Sequence, residues 1–368
     1  MKYILVILTL MLYACDNSRS SYSEIRLEKN SDSLIYLNDI ADLCEVVPLE
    51  TVRAALLSNV SKIQIADSCY YVFDNGHEPA IMRFNLNGKY LGRVGCVGHG
   101  KMEYEDIEDF AVSAPNKTVA VLTCDNVVKM YDLDGKYVGT KHLGDSKSYC
   151  FTKITSVSDG YALLSLYRGN ENDHLVYIFD RDFNLMSSRL KQFSQSIYCG
   201  NFVRNPICGV GNKICYFDFY RQTINIMPYD NTEDCQVVQL CTDRMVNMDD
   251  FISNAFFENC VDYDFVNDIF FVDNWAFLTV VLESKPYFAQ INLDDMSVSI
   301  NEQGCVPEFK CYHDGYVYSV LSSNCLLEFC KREYPDCLDN WIKAKVTSFI
   351  DGYSELDNFV ILKMKMKR

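Results

Sequence analysis

Phe84-Asn85-Leu86-Asn87-Gly88-Lys89-Tyr90 and, 47 residues on, Tyr131-Asp132-Leu133-Asp134-Gly135-Lys136-Tyr137 are two copies of one pattern. A weaker third copy, Phe179-Asp180-Arg181-Asp182-Phe183-Asn184-Leu185, follows 48 residues later. Each copy reads as a strand end, a polar turn and a strand start. Asn-Gly and Asp-Gly predict tight primed hairpin turns, whose two central residues both take positive φ.

The unit extends outward from these turns. An apolar strand precedes each copy: Tyr70 to Phe73, Val119 to Leu122 and Tyr161 to Leu166. Another short strand precedes each of those: Ile63 to Ala66, Phe110 to Ser113 and Lys153 to Val157. Three later regions keep the order with degraded turns. Ile214 to Phe219 precedes Ile224 to Tyr229, Trp275 to Val281 precedes Phe288 to Leu293, and Tyr316 to Leu321 precedes Leu326 to Phe329. Units of roughly 40–50 residues with four strands each are the signature of propeller blades. The predicted fold is all-β, a six-bladed β-propeller over residues 39–368 with short helical insertions. The early strand Cys44 to Leu49 and the final strand Phe359 to Met364 are expected to pair within the last blade, closing the ring and removing exposed edges. Met245 to Glu258 and Tyr334 to Phe349, the latter with Leu338, Trp341, Ile342 and Val346 at helical spacing, predict short helices on the outside of blades four and six.

The chain begins with Met1-Lys2 and a run of apolar residues from Tyr3 to Leu12, interrupted only by Thr9. A bilayer-spanning helix needs about 20 residues, so this run has the length of a signal-peptide core. Leu12-Tyr13-Ala14-Cys15 resembles the lipobox of bacterial lipoproteins. That resemblance implies a signal peptide over 1–14, a lipid on Cys15 and a membrane-anchored place in the cell envelope, assigned to the outer membrane. Asp16 to Ser23 is almost wholly polar and cannot bury enough surface to order itself. Residues 15–38 are therefore expected to be a polar tether.

The net charge of −16 opposes binding to nucleic acid through a basic patch. Tyr 25 and Phe 22 against Trp 2 favour strands. The 17 cysteines include no C-x-x-C pair, and several sit in apolar runs, such as Cys215 in Ile214-Cys215-Tyr216-Phe217. There a free thiol acts as a small buried hydrophobe. Some disulfides are compatible with this pattern, but spacing does not pair them, and zinc-finger spacings are absent.

The first unit carries a family resemblance. Tyr71-Val72-Phe73-Asp74, Ile81-Met82-Arg83-Phe84-Asn85, Gly88-Lys89-Tyr90-Leu91 and Gly95 resemble an NHL-type blade. Gly98-His99-Gly100-Lys101-Met102-Glu103-Tyr104 resembles the G-x-G-P-G-E-Y segment of six-bladed β-propeller lipoproteins of the Bacteroidetes, with Lys101 and Met102 in place of its Pro and Gly. Pro48-Leu49-Glu50-Thr51 resembles that family's segment ahead of blade one. The resemblance runs from about Asp39 to the C-terminus, strongest over the first two blades. It implies an exported, anchored propeller and no settled activity. Asp32-Ser33-Leu34 is similar to the O-glycosylation acceptor of that phylum, which would place a glycan on Ser33.

Chemistry is sparse in the sequence. There is no nucleophile elbow, Walker loop, H-E-x-x-H or dinucleotide fingerprint in a usable context. Gly95 to Gly100 joins two blades and opens no helix, so it predicts no phosphate cradle. The metal candidates are His77 and His174, between second and third strands, and His99 and His142, between blades. Those two loop types share one face of a propeller. The acidic residues of Glu103 to Asp109 lack the alternate spacing of a calcium loop. No catalytic residue and no cofactor are assigned. The expected function is a monomeric binding or scaffolding module for a glycan, a peptide or an envelope protein. A metal-dependent propeller lyase or lactonase is the alternative.

Overall fold

Six strands stand innermost: Val60–Ala66, Asp109–Ser113, Phe151–Val157, Ile207–Val210, Phe265–Val272 and Phe309–His313. Each packs against the next and the last returns to the first, forming a closed ring. The computed structural model describes residues 21–29, 31–144, 150–166, 172–193, 203–230, 235–304, 306–322, 324–326 and 357–367. From every inner strand an antiparallel sheet runs outward, giving the six blades of a β-propeller. First-to-second and third-to-fourth turns share one face, here the turn face. Second-to-third loops and blade-to-blade connections share the other, the loop face.

Burial explains the strand types. The middle strands are sandwiched between neighbouring blades, so they read as apolar runs: Cys69–Asp74 is buried at every position after the first, and Gly160–Ser165 throughout. Outer strands such as Tyr90–Arg93 alternate or lie open.

The repeated turns differ from expectation in type. Gly88 N–H donates to the Asn85 carbonyl at 2.9 Å, and Gly88 alone takes positive φ, at 80°. This is a type I turn followed by a left-handed residue, the three-residue hairpin form. The strand-end side chain fixes it. Asn85 Oδ1 accepts from the amides of Asn87 and Lys89 at 3.0 and 2.9 Å, Asp132 Oδ1 from Lys136 at 2.8 Å, and Asp180 Oδ1 from Asp182 and Asn184 at 2.8 Å. The left-handed position is Gly135 in the second copy and Phe183 in the third, at φ 82° and 62°. Primed turns do occur, at Asp67-Ser68, where both residues have positive φ.

The ring closes as expected. The N-terminal strand β3 (Ala41–Pro48) pairs antiparallel with Val360–Met366 and is the outer strand of blade six. A β-carbon on Gly88 would lie 1.8 Å from the Pro48 carbonyl oxygen, and one on Gly135 2.4 Å from that of Arg93. The two glycines thus make the same approach to the outer strand of the preceding blade. Asn358 pins the seam: its amide donates to the Glu50 and Ala55 carbonyls at 3.1 and 2.6 Å, and its Oδ1 accepts from Leu57 at 3.2 Å.

Three expectations are corrected. Leu326 to Phe329 is not the third strand of blade six. That place belongs to Val360–Met366, Leu326 is a buried helical residue, and 327–329 lie outside the described residues. The insertion at Met245 to Glu258 does form helices, Met248–Ile252 and Ala255–Glu258. They cover the loop face instead of the blade's outside, because Phe251 and Phe256 pack at an angle against Phe219 of the second-to-third loop of blade four, with centroids 5.4 and 6.1 Å apart. The second insertion lies outside the described residues. Finally, the tether is ordered chain from Ser21. Strand β1 (Ser21–Arg26) adds parallel to the outer strand of blade four, and β2 (Ser31–Ile35) to that of blade five. Ile25, Leu27 and Ile35 are buried in the core, so a few spaced apolar residues outweigh the polar majority. Arg26 pairs with Asp243 at 2.5 Å, and Lys29 with Glu283.

Candidate functional site

The inner strands line a central channel. On its wall, near the loop face, the Lys62 ammonium donates to both oxygens of Asp109 at 2.9 Å, to the Phe110 carbonyl at 2.8 Å and to the Ile154 carbonyl at 3.0 Å. Asp109 Oδ2 also accepts from the Ile154 amide at 2.9 Å. One ion pair therefore joins blades one, two and three. Burial pulls the Lys62 ammonium below the usual lysine range, and Asp109 opposes that shift. Every charge here is matched by a partner, as a buried ion pair requires.

The loop-face mouth opens above this pair. It is a cavity of about 470 Å³ whose wall includes Asn59, Asn75, Glu108, Lys153 and Arg204. Arg204 also lines a second cavity of about 410 Å³ at the inner ends of blades five and six. Phe270, Phe277, Phe288 and Phe309 form its apolar wall, and Asn267, Asp268, Gln303 and Glu308 its polar one. Glu308 accepts from Arg204 at 2.6 Å and from Lys310 at 2.5 Å. Asp268 has no such ion pair among the described residues. Burial and the neighbouring Glu308 push its carboxyl up to about 6, against the pull of the Ile269 amide, Lys310 and Arg204. Gln303 Oε1 is buried with no hydrogen-bond partner among the described residues. Aromatic surface beside incompletely matched polar groups suits a ligand with both characters.

The metal candidates do not converge in the channel. His99 and His142 line a separate cleft of about 400 Å³ at the junction of blades one and two. His99 Nδ1 stands 3.3 Å from Glu105 and is almost fully exposed. His77 lies in the second-to-third loop of blade one. His174 starts the third strand of blade three, where its Nδ1 meets Ser188 Oγ at 3.1 Å. Among the described residues no group of three or more His, Cys, Asp or Glu side chains is arranged to hold a metal ion. The histidine that does line the channel is His313, at its turn-face end. The Gly98 to Tyr104 segment is self-contained: Glu103 accepts from the Gly100 amide at 2.9 Å, and Tyr104 Oη donates to the Val94 carbonyl at 3.0 Å. Ser33 is exposed on β2, with Oγ 3.4 Å from Asn301 Oδ1. Cys15 lies outside the described residues.

Sequence reasoning missed Lys62, Asp109, Arg204, Asp268, Glu308 and Lys310. A signal existed. Aligning the units puts a charged residue near the start of most inner strands: Lys62, Asp109, Lys153, Asp268 and Lys310.

The fold is similar to that of a Bacteroides fragilis NCTC 9343 protein described as exported, with a TM-score of 0.74, 16% identity and coverage of 95% of this chain and 100% of that one. Weaker likenesses are to the WD40 repeats of RRP9, at TM-score 0.45, 6% identity and 89% and 100% coverage, and to BamB of Moraxella catarrhalis, at TM-score 0.38, 9% identity and 76% and 75% coverage. No curated protein matches the chain, and no helix among the described residues is long and apolar enough to cross a membrane. The model of the family called domain of unknown function DUF4934 matches residues 22–365, and the chain belongs to that family.

Proposed function

We propose that this chain is an exported, lipid-anchored binding module of the outer membrane, whose ligand enters the loop-face mouth and seats against blades five and six. The observation that carries the reading is the cavity between those blades, with a phenylalanine wall facing Asp268, Glu308, Arg204 and Gln303. Its mixed charges and apolar wall fit a glycan or a peptide, presented free or by another envelope protein. The signal-like start, Cys15 and the description of a protein of similar fold as exported support the address. The anchor also orients the ring. β1 runs parallel to Gln236–Cys241, so Ser21 lies at the turn face. Six residues from Cys15 reach at most about 20 Å, which would keep the turn-face end of the blade-four rim close to the membrane.

The test is calorimetric titration of the soluble body, residues 21–368, with a panel of short peptides and envelope oligosaccharides. A ligand should emerge whose affinity drops at least about tenfold in Arg204→Ala and in Asp268→Ala, and not in His99→Ala or His142→Ala. Binding indifferent to the first pair, or abolished by the second, refutes the site. Loss of membrane fractionation in Cys15→Ser tests the anchor separately.

A further inference from the structure

Cys208 and Cys215 face each other across the first hairpin of blade four, in register between Ile207↔Tyr216 and Gly209↔Ile214. They stand two positions in from Val210↔Lys213, which closes the two-residue turn. Ladder pairs alternate, so they are a hydrogen-bonded pair like the closing one, with Cα atoms about 5.5 Å apart. Disulfides bridge Cα atoms about 4.4–6.8 Å apart, most often about 5.5–6 Å. Directly opposed residues also project from the same face of the sheet, and both cysteines carry free thiols.

From this juxtaposition we infer that Cys208 and Cys215 are a disulfide site on the wall of the central channel. The oxidant is a disulfide, either a protein dithiol oxidase or a small-molecule disulfide. One cysteine thiolate attacks it and expels one thiol, giving a mixed disulfide. The second cysteine then displaces the other thiol. Two protons and two electrons leave the pair, and the oxidant departs as two thiols. Opposed Cβ atoms in a ladder are about 4.5–5.5 Å apart against about 3.8 Å in a disulfide. The strands must therefore draw together slightly, and the bond is strained and easily reduced. Cys208 lines the channel beside Lys62 and Cys311, so reduction would alter the channel wall itself. The hydrogen bond to Cys215 and burial hold the Cys208 thiol well above its usual range in the closed ring. Exchange is then fastest in the open hairpin, during folding. The exported reading supplies only the cellular source of oxidant, and the test does not depend on it.

The soluble body is refolded in a glutathione buffer poised oxidising, denatured in iodoacetamide and digested with trypsin, which cuts at Lys213 between the two cysteines. The expected product is the peptide pair joined through Cys208 and Cys215, two mass units below the sum of the thiol forms. A second measurement compares unfolding midpoints with and without dithiothreitol. Wild type should shift by several degrees and the Cys208→Ser/Cys215→Ser double variant should not. Full alkylation of both cysteines in the oxidised protein, linkage of either to another cysteine, or equal dithiothreitol shifts in the two proteins would overturn the inference.

Discussion

Blades one to three and blades four to six are held together from opposite sides. The first three are continuous chain from Val60 to Lys191, and their outer strands carry no added strand among the described residues. Their tie is internal: Lys62 of blade one bonds to blades two and three at the channel wall. The second three are tied externally. Residues 21–48 run over the rims of blades four, five and six in turn, as β1, β2 and β3. Their inner wall holds the partly matched Arg204, Asp268 and Glu308 beside a cavity. A ring braced at the rim can leave its inner wall imperfectly packed, and that is the place where a ligand can be accommodated.

The largest test of this contrast is truncation. A chain starting at residue 37 loses β1 and β2 and keeps β3. It should still unfold cooperatively, at a lower midpoint, because only rim strands are gone. A chain starting at residue 50 also loses the outer strand of blade six, with buried Leu43 and Val47. It should show no cooperative thermal transition by circular dichroism. Equal behaviour of the two chains would mean the rim strands matter as much as closure.

The internal tie comes next. Asp109→Ala leaves the Lys62 ammonium buried without its carboxylate, and breaking one side of such a pair costs about 3–5 kcal/mol. The double variant Lys62→Met/Asp109→Leu should recover much of that loss in urea unfolding. A double variant no better than the single would show that the hydrogen bonds to blades two and three, and not charge matching, hold this half. At the junction between halves, Gly88→Ala should cost more than the about 1–2 kcal/mol of a left-handed alanine, since its methyl meets the Pro48 carbonyl. Gly211→Ala, also at positive φ but in open space, should stay near that figure.

The two halves were unequally legible. Blades one to three announce themselves because Asn85, Asp132 and Asp180 each cap the same turn through a side chain that a sequence displays. Blade five has a related turn one residue longer: Asn292 Oδ1 accepts from the Asp294 amide at 2.9 Å, and the left-handed residue is Met296, at φ 61°, four positions after the strand end instead of three. The longer loop and the lack of Gly hid it. Blade six is legible in part: the pairing of its two end strands is expected and is present, but Leu326 to Phe329, the apolar run next after Tyr316–Leu321, reads as its third strand, when the true partner of Tyr316–Leu321 is Val360–Met366, far along the chain. β1 and β2 were obscured by composition, since their stability comes from Ile25, Leu27 and Ile35 entering a core that the rest of the chain builds. The candidate site was obscured because its charged residues are scattered singly over separate inner strands and the connections leading into them, as with Asp268 on one strand and Arg204 and Glu308 just ahead of others, and only ring closure brings them together.

Asp268 gives the smallest effect and the sharpest contrast between the inner walls. Its carboxyl in the folded chain titrates near 6 against an ordinary 3.8, raised first by burial and then by Glu308. Between about pH 4 and 6 the folded chain holds a proton there that the unfolded chain releases. Stability therefore falls as pH rises through that window, the cost is complete above about pH 6, and it vanishes below the unfolded value. Asp268→Asn removes the ionisation while keeping the shape. The variant should be more stable than wild type at pH 7.5, by about 1 kcal/mol after water in the cavity screens part of the shift, and the advantage should fade by about pH 4. Asp109→Asn should do the reverse at pH 7.5, since it discharges the partner of a buried ammonium. Should Asp268→Asn instead destabilise at pH 7.5, Asp268 is as well matched as Asp109, the inner walls of the two halves are equivalent, and the case for a ligand site between blades five and six loses its electrostatic ground.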